Sequence, residues 1–344
     1  MIPVSVVIPT CNRPQALIAL LDCLSHSADM PQEIIIVDSG DRGPGPEDYA
    51  RFGRLSLVRL PSRRSLCSQR NSGILAARSP WIFICDDDME VPPDYLRKLW
   101  THIERHPEAG AVSGRILQQV EGQWQAAYPI YSSRELLFRY VFGLGIWGNI
   151  QCADDNGYLR KIKRSYARKG NHIARSGWPV ITAFPGEYFK TPVWGLGASL
   201  IRKEWLLGSL YDERLEAHGA GDHYGVASGF PAEGIHVVNE AVVYHHASAV
   251  NRLEPPRQYL LRILALDYFR EMKPWLGVHK GWLLWSLCGS LLLFLKKRDL
   301  GMARAALHAI GSIARGHNPY YRTRKSPRPL DRPLVDSPSK SRFV

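Results

Sequence analysis

"WIFICDDDME", residues 81–90, carries five apolar residues straight into three consecutive aspartates. An apolar run of that length, aromatic and β-branched, predicts a strand buried on both faces, which in turn predicts a parallel sheet with helical crossovers. The ending is the unusual part. Three adjacent carboxylates repel one another, and placing them at the end of a buried strand costs stability unless something positive is held there. In extended chain Asp86 and Asp88 project to the same side and Asp87 to the other, so the outer pair can share one cation. Oxygen ligands suit Mg²⁺ or Mn²⁺, ions that complete their coordination with substrate phosphates. The plainer alternative is a solvated acidic turn ahead of the helix predicted in "PPDYLRKLWTHIERH", whose N-terminus favours negative charge.

The flanking sequence favours the first reading. "VSVVIP" predicts a strand that ends in a Thr-Cys-Asn-Arg-Pro turn, and "QALIALLDCLSHS" follows with apolar residues at helical spacing. "EIIIVDSGD" predicts a second buried strand closing on Asp38, "LSLVRLP" a third, and "CSQRNSGILAARS" a helix leading into "PWIFICDDD". Strands alternating with helices define an α/β chain, and ligands of such sheets sit beyond the carboxyl ends of the strands. Asp38 and Asp86 to Asp88 fall at that edge.

The chain resembles a family 2 glycosyltransferase of the GT-A fold. The resemblance is carried by "VSVVIPTCNRP", "IIIVDSG", "RNSGILAARSPWIFICDDD", "GLGASLIRKE" and "YDERL…GAGD…EAVVYHH", in the family's order across roughly residues 3–250. It implies a nucleotide-binding, parallel-centred sheet with flanking helices, and inverting transfer of a sugar from a UDP-, GDP- or dTDP-sugar to a glycan or lipid-linked acceptor. Carried over residue by residue, Pro9, Thr10, Asn12 and Arg13 face the nucleotide with Asp38, Arg70 and Asn71. Asp86 and Asp87 lie toward the ribose, while Asp88 and His245 hold Mn²⁺ or Mg²⁺, with His246 the alternative to His245. Gly195 and Gly197 allow close approach to the donor sugar. "YDERLEAHGAGDHYG" departs from the family pattern, because Gly219-Ala220-Gly221 stands where the family has an acidic residue before the base. Asp222 remains the candidate base and Glu216 the fallback.

The rest of the chain bounds its setting. With 344 residues and 45% hydrophobic content it can bury a full core. The expected organisation is a transferase domain over 1–250, with a nucleotide half at 1–115 and an acceptor half at 116–250, then a helical region at 251–314 and a basic disordered tail at 315–344. Six scattered cysteines without CxxC spacing predict reduced thiols in a cytosolic chain. The net charge is +12, and half of that excess lies from Arg315 onward. "GYLRKIKRSYARKGNHIAR" is a second basic stretch, either a solvated helix face or a clamp for an anionic acceptor. No RNA- or DNA-binding motif accompanies it, so nucleic acid is not an expected partner. "GWLLWSLCGSLLLFLKKR" holds a charge-free stretch from Trp282 to Leu295, too short for the ~20 residues of a spanning helix. It predicts either an interfacial membrane-associating helix on an anionic cytoplasmic surface or a buried core helix. A metal-dependent nucleotidyltransferase would share the sheet and the carboxylates, but "TCNRP" stands where its Gly-rich loop and Lys would follow the first strand.

Overall fold

A computed structural model describes residues 1–120, 122–126, 129, 131–150, 157–215, 218–231, 234–246 and 253–322. Four parallel strands form one half of the main sheet: β1 (Ile2–Thr10), β2 (Pro31–Asp38), β3 (Leu57–Pro61) and β4 (Trp81–Cys85), in the spatial order β3-β2-β1-β4. All five residues of β4 are buried, as the unbroken apolar run requires. Beyond β4 the sheet continues with Ala198–Arg202, which runs antiparallel to it, and then Ala111–Val120, Ile235–His245 and Tyr188–Thr191. The strand Ala111–Val120 spans the expected 115/116 boundary at the centre of the sheet, so the two halves are halves of one sheet and not separate domains.

Apolar clusters pack on both faces of the sheet. A third, smaller cluster lies around Tyr131, Leu136, Ile146 and Val180, where a second sheet forms from Ile146–Trp147, Pro179–Ile181 and His172–Ile173. Strands of two or three residues carry no readable alternation, which is why sequence patterning does not reveal this sheet.

The long helices of the C-terminal region, Pro255–Met272, Lys280–Lys296 and Leu300–Ala314, pack on one another and on the main core, and a short helix, Pro319–Arg322, follows them. Among the described residues no helix is long and apolar enough to cross a membrane. Helix Lys280–Lys296 divides its apolar residues between two faces. Leu283, Leu287 and Gly289 are buried, whereas Trp282, Trp285, Leu292 and Leu295 are each between 44 and 49% exposed. The start of the expected disordered tail, from residue 315 to Arg322, includes residues packed on the core. Asn318 donates to Leu264 O and to Asp267 Oδ2, and Tyr321 Oη donates to Asp267, so the chain is pinned as far as Tyr321. Residues 323–344 lie outside the described residues.

One buried polar contact on the far side of the sheet makes stability depend on pH. His102 Nε2 and His236 Nδ1 are 2.9 Å apart, and burial holds both imidazoles down to about 4. An unfolded histidine titrates near 6.5, so below that pH the unfolded chain takes up protons that the folded chain refuses. Their stabilisation is therefore complete above pH ~6.5 and is lost as pH falls toward 4, by about 3 kcal/mol for one such group. Urea midpoints between pH 7 and pH 4 should fall steeply in the wild type and less steeply in His102→Gln. Parallel slopes would show that the pair does not govern acid stability.

Candidate active site

Two loop departures from the sheet set the geometry. β1 and β4 end side by side, so Thr10 and Asp86 to Asp88 emerge at the same edge. The short strand Met89–Glu90 then pairs antiparallel with the end of Ile235–His245, opposing Met89 to His245. That register puts His245 Nε2 3.3 Å from Asp88 Oδ1. An imidazole and a carboxylate at that spacing are the side chains that would hold a divalent cation such as Mn²⁺ or Mg²⁺. His246 turns away to an exposed contact with Glu90 at 2.6 Å. No group of three or more candidate metal ligands occurs among the described residues.

The three aspartates have three different environments. Asp87 is turned inward, accepting from Thr10 Oγ1 at 2.7 Å and from Arg13 Nη1 at 2.9 Å. Burial lifts its carboxyl to about 6, with Arg13 and Thr10 pulling the other way. Asp88 lies near the same guanidinium at 3.3 Å. Asp86 pairs instead with Arg70, whose Nη2 is 2.5 Å from Asp86 Oδ1. Gly197 makes this rotamer possible, since a Cβ there would stand 2.3 Å from Asp86 Oδ2.

Arg70 is the residue that joins the two halves of the sheet. It sits on helix Leu66–Ala76, is 1% exposed, and contacts Asp86 with one guanidinium nitrogen and Asp222 Oδ2 with another. Burial alone would favour the neutral form, but the two carboxylates outweigh it and hold the guanidinium more firmly charged than usual. The other Asp222 oxygen accepts the His223 backbone N–H at 2.6 Å. Gly219 and Gly221, the residues that break the family pattern, both take left-handed backbone, φ +57° and +93°. A Cβ on Gly219 would also press to 2.7 Å on Asp222 Oδ2, so the glycine makes room for the ion pair.

These groups line one cleft of about 1070 Å³. The lining includes Pro9, Thr10, Arg13, Arg70 and Asp86 to Asp88 together with Gly195, Gly197, Asp222 and His245. Three expected residues lie elsewhere. Asn12 adopts φ +56° and accepts the Arg42 N–H at 3.0 Å, closing a turn. Asp38 Oδ1 accepts the Gly40 N–H at 2.8 Å in the turn after β2, a bond that does not involve the other carboxylate oxygen. The Asn71 side chain bonds Tyr211 N, Tyr211 O and Glu213, tying its helix to the segment before Asp222. The basic segment forms helix Gly157–Lys169, and Glu216 lies outside the described residues.

Sequence reading missed several cleft residues. Gln69 donates to the carbonyls of Thr10 and Val37, capping the ends of β1 and β2 from below. Gln258 and Arg262 reach the cleft from helix Pro255–Met272, one turn apart. Arg262 has no hydrogen-bond or ion-pair partner among the described residues. Its i, i+4 spacing from Gln258 was visible in the sequence, but nothing local marks which face of the helix meets a cleft built from elements upstream of it.

Comparison with known proteins gives three results. The sequence model described as "Glycosyl transferase family 2" matches residues 5–169. Among curated relatives, the uncharacterized glycosyltransferase YwdF of Bacillus subtilis is 34% identical over 32% of this chain and 43% of its own. The succinoglycan biosynthesis protein ExoO of Rhizobium meliloti is 32% identical over 31% of each chain. The amylovoran biosynthesis glycosyltransferase AmsB of Erwinia amylovora is 28% identical over 40% of this chain and 50% of its own. The match thus spans half or less of each relative's length. Among solved structures, the mannosyltransferase PcManGT of Pyrobaculum calidifontis aligns over 93% of this chain and 82% of its own, at 17% identity and a TM-score of 0.46. At that score the topology described above rests on the strand pairing alone.

Proposed function

From a chain whose residues 5–169 form a family 2 glycosyltransferase domain, we propose an inverting transfer of a sugar from a nucleotide-diphosphate donor to a hydroxyl of a glycan or lipid-linked acceptor. The observation that carries this reading is the span of one cleft. At one end Asp88 and His245 form a cation-binding pair, and at the other Asp222 is held on Arg70 together with Asp86. The relatives named for succinoglycan and amylovoran biosynthesis support a place in envelope or extracellular polysaccharide synthesis.

The chemistry follows from the residues. A UDP-, GDP- or dTDP-sugar lies with its nucleotide toward Pro9, Thr10 and Arg13 and its diphosphate toward Asp88 and His245. Bound Mn²⁺ or Mg²⁺ would supply Lewis-acid neutralisation of the departing diphosphate. Arg262, which also lines this cleft, adds a further positive charge in the neighbourhood of Asp222. Asp222 removes the acceptor proton as the hydroxyl attacks opposite the leaving phosphate. Arg70 holds Asp222 and Asp86 at a set separation, so donor and base are positioned by one side chain. Asp87, engaged by Thr10 and Arg13, shapes the turn that presents its two neighbours.

The test is release of nucleoside diphosphate from a panel of UDP-, GDP- and dTDP-sugars with Mn²⁺. One donor should turn over in the wild type, and Asp88→Ala should abolish the metal-dependent part. Equal rates in the variant would remove Asp88 from the metal site.

The setting we infer is peripheral, on the cytoplasmic face of an anionic membrane. Trp285 Nε1 donates to Val141 O, so the exposed indoles of helix Lys280–Lys296 adjoin exposed Leu137, Tyr140 and Val141 of helix Ser133–Phe142. Lys280 and Lys296 to Arg298 flank that surface, a combination suited to the headgroup region. The protein should float with phosphatidylserine-containing vesicles, and Trp282→Ser with Trp285→Ser should not. Unchanged flotation in the double variant would move the contact elsewhere.

A further inference from the structure

His223 follows the candidate base in the chain and lines the same cleft. The left-handed Gly221 opens helix Asp222–Ala227 and places His223 in its first turn. Two bonds then fix the residue. Its backbone N–H donates to Asp222 Oδ1 at 2.6 Å, and its ring Nδ1 accepts the backbone N–H of Leu196 at 3.2 Å. Leu196 lies between Gly195 and Gly197, both in the cleft lining. The edge of the ring system also meets Tyr211, with centroids 6.2 Å apart at 68°.

These contacts decide the state of the imidazole. A backbone amide can only donate, so Nδ1 must present its lone pair to Leu196. The neutral ring then carries its proton on Nε2. Burial favours that neutral ring, with Arg70 and Arg262 acting in the same direction and Asp222 and Asp86 opposing them. Nε2 is itself buried, and it has no hydrogen-bond partner among the described residues. A buried N–H without an acceptor costs stability, and in the wall of a cleft a ligand oxygen is the group that can supply one.

We propose that His223 is a specificity-determining residue of the transfer: a neutral imidazole, locked in one tautomer by the Leu196 N–H, that donates from Nε2 to a hydroxyl oxygen of the transferred sugar. The inference rests on the reading of the cleft as the nucleotide-sugar site.

The chemistry of the cleft selects this partner. Phosphate oxygens call for cations, which the Asp88 and His245 end would bind, whereas a neutral donor suits a hydroxyl. The ring is seated on the Gly195–Gly197 stretch and beside the candidate base, so the group it meets belongs to the reacting sugar and not to the nucleotide. Acid–base work stays with Asp222, since one ring nitrogen is engaged by Leu196 and the other already holds a proton. A site that donates to one particular hydroxyl discriminates against sugars that lack it, because the buried N–H is then left unpaired.

The experiment uses the full chain with Mn²⁺ and compares UDP-glucose, UDP-N-acetylglucosamine, GDP-mannose and dTDP-rhamnose with UDP, GDP and dTDP as ligands, by calorimetry. His223→Phe keeps a ring and removes both side-chain bonds, while His223→Gln keeps an N–H donor at similar reach. Affinity for the nucleotide sugar that binds should fall about 10-fold in His223→Phe and less than threefold in His223→Gln, with nucleoside diphosphate affinity within twofold of the wild type in both. Nitrogen-15 NMR of the histidine-labelled wild type reads the tautomer without relying on the Phe variant, the His223 ring signals being those missing from His223→Gln. The proton should sit on Nε2 at pH 7, and its resonance should move on addition of the nucleotide sugar but not of the nucleoside diphosphate. A proton on Nδ1, an unchanged nucleotide-sugar affinity in His223→Phe, or an equal loss for nucleotide sugar and nucleoside diphosphate overturns the role of His223 and leaves the donor reading standing. A wild type that binds none of the nucleoside diphosphates or nucleotide sugars overturns the donor reading instead.

Discussion

Asp222→Asn lowers turnover by roughly 10²–10⁴-fold, the usual contribution of a positioned base, while donor and metal still bind. The loss falls on kcat, because the proton moves only in the transition state. The substitution keeps the shape of the side chain but not its bonding. Asp222 accepts from Arg70 on one oxygen and from the His223 N–H on the other, and an amide can accept on only one of the two. Its NH₂ must then face a donor, so Asp222→Asn also carries a modest loss of stability. Thermal melting measured beside the kinetics separates the two effects. Near-normal turnover in Asp222→Asn together with loss in Glu216→Gln would move the base to Glu216 and make Gly219–Asp222 a structural loop.

Arg70→Met destabilises the protein by about 3–5 kcal/mol, the range found when one partner of a buried ion pair is removed. Arg70 is 1% exposed and is the shared partner of two carboxylates, of which Asp222 is itself buried. Removing the cation leaves both in a cleft that also holds Asp87 and Asp88. Activity falls with stability, and bound Mn²⁺ with nucleoside diphosphate recovers part of the stability by mass action. Arg70→Lys keeps the charge but cannot engage both carboxylates in the same two-armed geometry, so it falls between the wild type and Arg70→Met. Urea unfolding of the three proteins measures the effect. Equal midpoints for Arg70→Met and the wild type would show that the bridge contributes nothing net.

The difference between what the sequence reveals and what it hides is visible around these two residues. β4 is legible because an unbroken apolar run predicts a strand buried on both faces, whereas the partners its aspartates take, Thr10, Arg13 and Arg70, are not local to that run; the register of Met89–Glu90 with the end of Ile235–His245 sets His245 beside Asp88. Arg70 and Asn71 enter the sequence reading only through the family resemblance, because helix Leu66–Ala76 buries Gln69, Arg70 and Asn71, polar residues that periodicity assigns to solvent. Their burial is stabilised by partners distant in sequence: strand-end carbonyls for Gln69, Asp86 and Asp222 for Arg70, Tyr211 and Glu213 for Asn71. Asp38 stands at the end of β2 as the buried run predicts, and what the sequence does not show is that its Oδ1 accepts the Gly40 N–H in the following turn. The C-terminal helices were legible as apolar but not as partly buried, since a stretch of uniform hydropathy does not say which face meets the core.

The measurement that tests the central claim most directly is the release assay, run with nucleotide sugars and nucleoside triphosphates side by side in Mn²⁺. Release of nucleoside diphosphate from one nucleotide sugar, dependent on Asp88 and slowed at constant donor affinity by Asp222→Asn, is the predicted result. Release of pyrophosphate from a triphosphate, with no nucleotide sugar consumed, would contradict it and place the same carboxylates in a nucleotidyltransferase.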